Sequence, residues 1–65
     1  MDEIREKIQK LLITGDNRLK QGVSADKVRA TYKEALELAR EHGMEDRIRP
    51  LVEIRLADLD RLDPD

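Results

Sequence analysis

Through the first third of the chain, apolar residues recur at helical spacing and never in strict alternation. At about 100° per residue, Ile4, Ile8, Leu11, Leu12, Gly15 and Leu19 fall within an arc of roughly 100°. That stripe predicts one amphipathic helix over residues 2–21. Glu3 with Lys7, and Glu6 with Lys10, stand four apart with the acid first, the order that supports a helix. Thr14-Gly15-Asp16-Asn17 would suit a turn if taken alone. Gly15 keeps the phase of the stripe, so the helix is expected to continue through it and to bring Gly15 to a close helix crossing, where a large replacement overpacks and alanine is tolerated.

Gly22-Val23-Ser24 punctuates the chain. Ser24 is expected to cap a second helix over residues 24–42, its hydroxyl accepting from a first-turn N–H, while Val23 packs on Val28. Ala25, Val28, Tyr32, Ala35, Leu36 and Ala39 share one face, with Leu38 at its edge. Gly43 suits the left-handed residue after a helix, with Met44 folding back on Leu38 or Ala39. A third helix is predicted from residue 46, or from Pro50, to residue 62, with Pro50 in its first turn and Arg49 held away from helical angles. Ile48, Leu51, Val52, Leu56, Leu59 and Leu62 form its stripe, and Asp63-Pro64-Asp65 reads as a frayed tail. Three helices with short connections predict an all-α, antiparallel three-helix bundle occupying residues 1–65 as one domain.

Composition narrows the function classes. A chain of 65 residues buries only about 60% of its unfolded surface. Small domains offset a thin core with disulfides, a metal or association, and this chain has no cysteine. Association or unusually good helix packing remains. The lack of cysteine fits a reducing compartment, and the cytoplasm is the expected location. Charged residues make up 43% of the chain with a net charge of -2, which provides no field to attract nucleic acid or an anionic membrane. Tyr32 is the single aromatic residue, so no stacking platform for single-stranded nucleic acid exists. No apolar run approaches the ~20 residues of a membrane span, and the acidic start Met1-Asp2-Glu3 is unlike a signal peptide.

Residues 11–40 resemble a tetratricopeptide repeat, a helix-turn-helix whose pattern runs W-x2-L-G-x2-Y, then A-x3-F, then P. Gly15 matches the glycine and Tyr32 the aromatic of A-x3-F, with Val28 in place of the small alanine and Tyr32-Lys33-Glu34-Ala35-Leu36 similar to the segment found there. Leu11, Thr14, Arg18 and Arg40 depart from the pattern's Trp, Leu, Tyr and Pro. The three-helix layout also resembles the small microtubule-interacting-and-transport domains, which bind helical tail peptides in a groove. Both resemblances imply an interaction domain.

Residues able to do chemistry are sparse. His42 is the sole histidine and sits where a helix C-terminus favours imidazolium. Asp58, Asp60, Asp63 and Asp65 lack the glycine and glutamate of a calcium loop. Ser24, Thr14 and Thr31 have no base and orienting group spaced for nucleophilic catalysis. Glu37 and Glu41 stand four apart, as carboxylates on exposed helix faces commonly do. Gly15 and Gly22 do not form a phosphate loop. The expectation is therefore no enzyme, no cofactor, no metal and no small-molecule substrate.

Three residues break the pattern and are the candidate partner-binding positions. Arg55 lies within the third apolar stripe, where a charge must either extend along its methylenes to water or meet a carboxylate across a groove. The first is expected. Ile13 lies about 160 to 180° from the centre of the first stripe, and Ile54 lies well off the third. If adjacent, the two isoleucines would mark a binding patch. The reading is a protein-protein interaction or assembly module that accepts a partner helix or a second copy, with homodimerisation through the same surface the expected form, and without nucleic acid or membrane. Its competitor is a helix-turn-helix nucleic-acid binder using Arg47, Arg49, Arg55 and Arg61, which point in different directions around the third helix.

Overall fold

A computed structural model describes residues 2–62, which form three α-helices: α1 (Asp2–Lys20), α2 (Ala25–Glu41) and α3 (Glu45–Leu62). The proposed tail at residues 63–65 lies outside the described residues. The helices make an antiparallel bundle in which α2 is central, packing on α1 at one side and on α3 at the other, while α1 and α3 meet only marginally. α1 runs unbroken through Gly15.

Both connections use glycine in the left-handed conformation. Gly22 (φ 81°) and Gly43 (φ 70°) each follow a helix. Val23 N–H donates back to the Arg18 carbonyl at 3.0 Å, and Met44 N–H to that of Ala39 at 2.7 Å. Gly22 N–H to Leu19 (3.2 Å) and Gly43 N–H to Arg40 (3.3 Å) complete a Schellman closure at each helix end. The chain is thereby reversed in three or four residues, which holds neighbouring helices antiparallel.

Ile8 and Leu12 of α1, Val28, Tyr32, Ala35 and Ala39 of α2, and Ile48, Val52 and Leu59 of α3 form one buried core. Four expectations need correction. Ser24 makes no side-chain cap; its backbone carbonyl accepts from Lys27 and Val28 N–H at 3.1 Å, and Val23 packs against the core. Pro50 lies inside α3, in its second turn, and Arg49 is helical. The carbonyl of Asp46 loses its donor there, but both residues are exposed, so water can satisfy it. Leu51 and Leu62, placed in the α3 stripe, are 43% and 68% exposed, because α2 alone covers α3. Alanine does not fit at Gly15: a β-carbon built there would lie 2.5 Å from Cε1 of Tyr32. The close crossing is present, between a backbone and the face of a ring.

Candidate functional site

The register of α1 against α2 follows from Gly15 facing Tyr32 and from Arg18 reaching Thr31, whose hydroxyl accepts its guanidinium at 2.9 Å and donates to the Lys27 carbonyl at 3.0 Å. Counting back in antiparallel fashion sets Lys7 level with Glu41, Lys10 with Glu37 and Thr14 with Glu34. The seam between the two helices has two edges, and the chain treats them differently.

On one edge, α3 approaches and a polar network joins all three helices. Tyr32 Oη donates to Asp16 Oδ1 at 2.5 Å. The same carboxylate accepts from Arg55, Nε to Oδ1 at 3.2 Å and Nη2 to Oδ2 at 3.3 Å. Arg55 also donates through Nη1 to the Leu51 carbonyl at 3.1 Å. Arg55 therefore meets a carboxylate across the α1–α3 cleft, and the expectation that it simply extends to water is corrected. A two-pronged guanidinium-carboxylate pair is directional and strong for an ion pair. Burial, followed by the Asp16 hydrogen bond, pushes the Tyr32 phenol well above its ordinary pKa. No buried side-chain nitrogen or oxygen among the described residues lacks a partner.

On the other edge, no element among the described residues covers the seam. A groove of about 520 Å³ runs there, lined only by α1 and α2. Leu11, Thr14 and Leu38, all half-buried, make its floor. Lys7 and Lys10 stand on the α1 wall, and Glu34, Glu37 and Glu41 on the α2 wall, all exposed. Among the described residues, no ion pair within 4.0 Å joins the two walls; Glu37 pairs along its own helix with Arg40 at 3.4 Å.

The predicted isoleucines lie elsewhere. Ile13 is 57% exposed and borders a shallow hollow on α1 that shares Lys7 and Lys10 with the groove wall, while Ile54, 60% exposed, is on α3. The groove residues carried a faint sequence signal: Leu11 and Leu38 sit at the edges of their stripes, and Lys7, Lys10, Glu37 and Glu41 fall at helical spacing beside them. Among the described residues, no three His, Cys, Asp or Glu side chains are grouped to hold a metal ion, and no helix is long and apolar enough to cross a membrane. Compared with known protein families, curated proteins and solved structures, the chain finds no match in any of the three.

Proposed function

We propose that this chain is a non-catalytic protein-protein interaction or assembly module that receives a helix along the α1–α2 groove. One observation carries the reading: the open edge of the seam has an apolar floor between a basic and an acidic wall whose charges are not spent on each other. A helix laid there covers Leu11 and Leu38, and the flanking charges set its direction and register. Ile13 on α1 and Ile54 on α3 are separate exposed apolar positions for further contacts of the same kind. Arg55 becomes available to a partner only by leaving Asp16.

The competing nucleic-acid reading gains little support, since Arg49, Arg55 and Arg61 are each engaged with a carboxylate, from Glu45, Asp16 and Asp58 respectively. The cytoplasm is the proposed compartment, on the absence of cysteine alone.

A photo-crosslinking amino acid placed in source cells at Lys10, on the groove wall, tests the reading against the same probe at Lys33, an exposed α2 position outside the groove lining. Discrete adducts at position 10 that are missing at position 33 are expected. Equal adducts at both positions, or none at either, would overturn it.

A further inference from the structure

The groove has a symmetry property that its lining makes specific. Its two walls carry opposite charge at matched levels: Lys7 across from Glu41 and Lys10 across from Glu37, in the register set by Gly15 on Tyr32. A surface of that kind is complementary to itself when rotated about the long direction of the groove. We propose that the occupant is a second copy of this chain, docked groove to groove about a two-fold axis parallel to the helices. The inference rests on the interaction-module reading and names its partner.

A two-fold axis along the groove keeps every residue at its own level and exchanges the walls. The α1 of one copy then lies over the α2 of the other, so Lys7 and Lys10 face the second copy's acidic wall, and the reverse contact repeats on the other side. Such an interface is isologous. Each α1 and α2 acquires an antiparallel neighbour from the second copy, and the four helices α1 and α2 of both copies take the arrangement of an up-down-up-down four-helix bundle, with α3 of each copy outside it. Leu11 and Leu38 of both copies meet at its centre and lose their remaining water contact. The other face-to-face axis, perpendicular to the helices, sets α1 on α1 and α2 on α2. Lysines would then oppose lysines and three glutamates would oppose three, a juxtaposition that excludes that pose. Charge therefore selects one dimer geometry from two.

α3 does not obstruct this docking, because it contributes nothing to the groove and is held on the opposite edge by Arg55 and Asp16. The wall charges, which make no ion pair across the groove, also acquire a purpose. Within one chain Lys7 and Lys10 make no ion pair with the α2 glutamates, whereas a helix seated above each wall brings the opposite sign within reach.

Two charge-reversed variants test the geometry. Lys7→Glu with Lys10→Glu makes both walls acidic, and Glu37→Lys with Glu41→Lys makes the two level pairs basic on both sides. In sedimentation equilibrium, the unaltered chain is expected to have the mass of two chains at high concentration. Each variant alone should have the mass of one, with helicity by circular dichroism unchanged, and an equimolar mixture should return to two, because both crossed contacts are again opposite in sign. Should charge reversal cost helicity, Lys7→Gln with Lys10→Gln provides the milder test, with an expected loosening of at least about tenfold in the dimer constant, about 1.4 kcal/mol.

An unaltered chain that stays a monomer, a variant that remains a dimer, or a mixture that stays apart would each overturn the proposal. A monomer whose position 10 still captures a different protein in cells would remove the second copy and leave the interaction reading standing. A dimer indifferent to charge reversal but dispersed by Ile13→Gln with Ile54→Gln would overturn the groove pose and move the interface to one or both of those isoleucines.

Discussion

The two edges of the α1–α2 seam are built from the same kinds of residue and reach opposite states. On the α3 edge, a carboxylate, a guanidinium and a phenol have found one another, and Asp16 is shared by Tyr32 and Arg55. On the open edge, two lysines and three glutamates flank two leucines without an ion pair crossing between the walls. One edge is internal structure, completed by the chain's own third helix. The other has the same apolar-centre, charged-border layout with no helix among the described residues above it. The comparison teaches that substitutions on the closed edge should be read in stability, and those on the open edge in association.

The largest expected effect is on the closed edge. Tyr32→Ala removes a fully buried ring that fills the space beside Gly15 and anchors Asp16; a loss of about 3–5 kcal/mol is expected by denaturant unfolding. Gly15→Ala should cost about 1–3 kcal/mol, since the added carbon collides with the ring. An unchanged or raised stability for Gly15→Ala would mean that the ring yields freely and the crossing is loose. Tyr32→Phe keeps the ring but deletes the donor to Asp16, with about 0.5–1.5 kcal/mol expected.

The phenol also predicts a pH dependence. Its folded pKa is raised above the unfolded value of 10.0, so the folded state holds the proton more tightly. Stability from this group is full below that value and falls as pH rises past it. Tyr32→Phe should flatten the alkaline limb of a stability-pH curve. A limb of unchanged steepness would assign the loss to other groups.

The smallest stability effects belong to the open surfaces. Lys7→Glu with Lys10→Glu, and Ile13→Gln with Ile54→Gln, replace exposed residues and, at dilutions where the unaltered chain is a monomer, should each shift unfolding by no more than about 0.5 kcal/mol per site. A larger loss for the lysine pair would mean that the groove walls support the monomer fold, and the contrast between the edges would fail.

Much of this was legible from periodicity and glycine placement. The stripe through Gly15 predicted a continuous α1, and Gly22 and Gly43 marked both helix ends, because left-handed closure leaves a local sequence signal. The polar network did not. Asp16 reads as part of a turn tetrad until α3 is seen to bring Arg55 to it, and that contact spans 39 positions. Pro50 misled because its cost depends on whether the orphaned carbonyl faces water. Leu51 and Leu62 fit a helical stripe, yet no periodicity can report that only α2 would cover it. The groove was hidden for a related reason: Leu11 and Leu38 are edge positions on separate helices, and only the register set by Gly15 and Tyr32 makes them one floor.

The most direct test of the contrast is a dilution series followed by heteronuclear NMR, with the methyl groups of Leu11 and Leu38 and the amides of Lys7, Lys10 and Glu37 compared with the signals of Asp16, Ile54 and Arg55. The open-edge resonances are expected to move together with concentration along one binding curve, while the closed-edge resonances stay fixed. Shifts that concentrate at Ile54 and Arg55, or a spectrum that does not change with concentration, would contradict a self-complementary groove on the open edge.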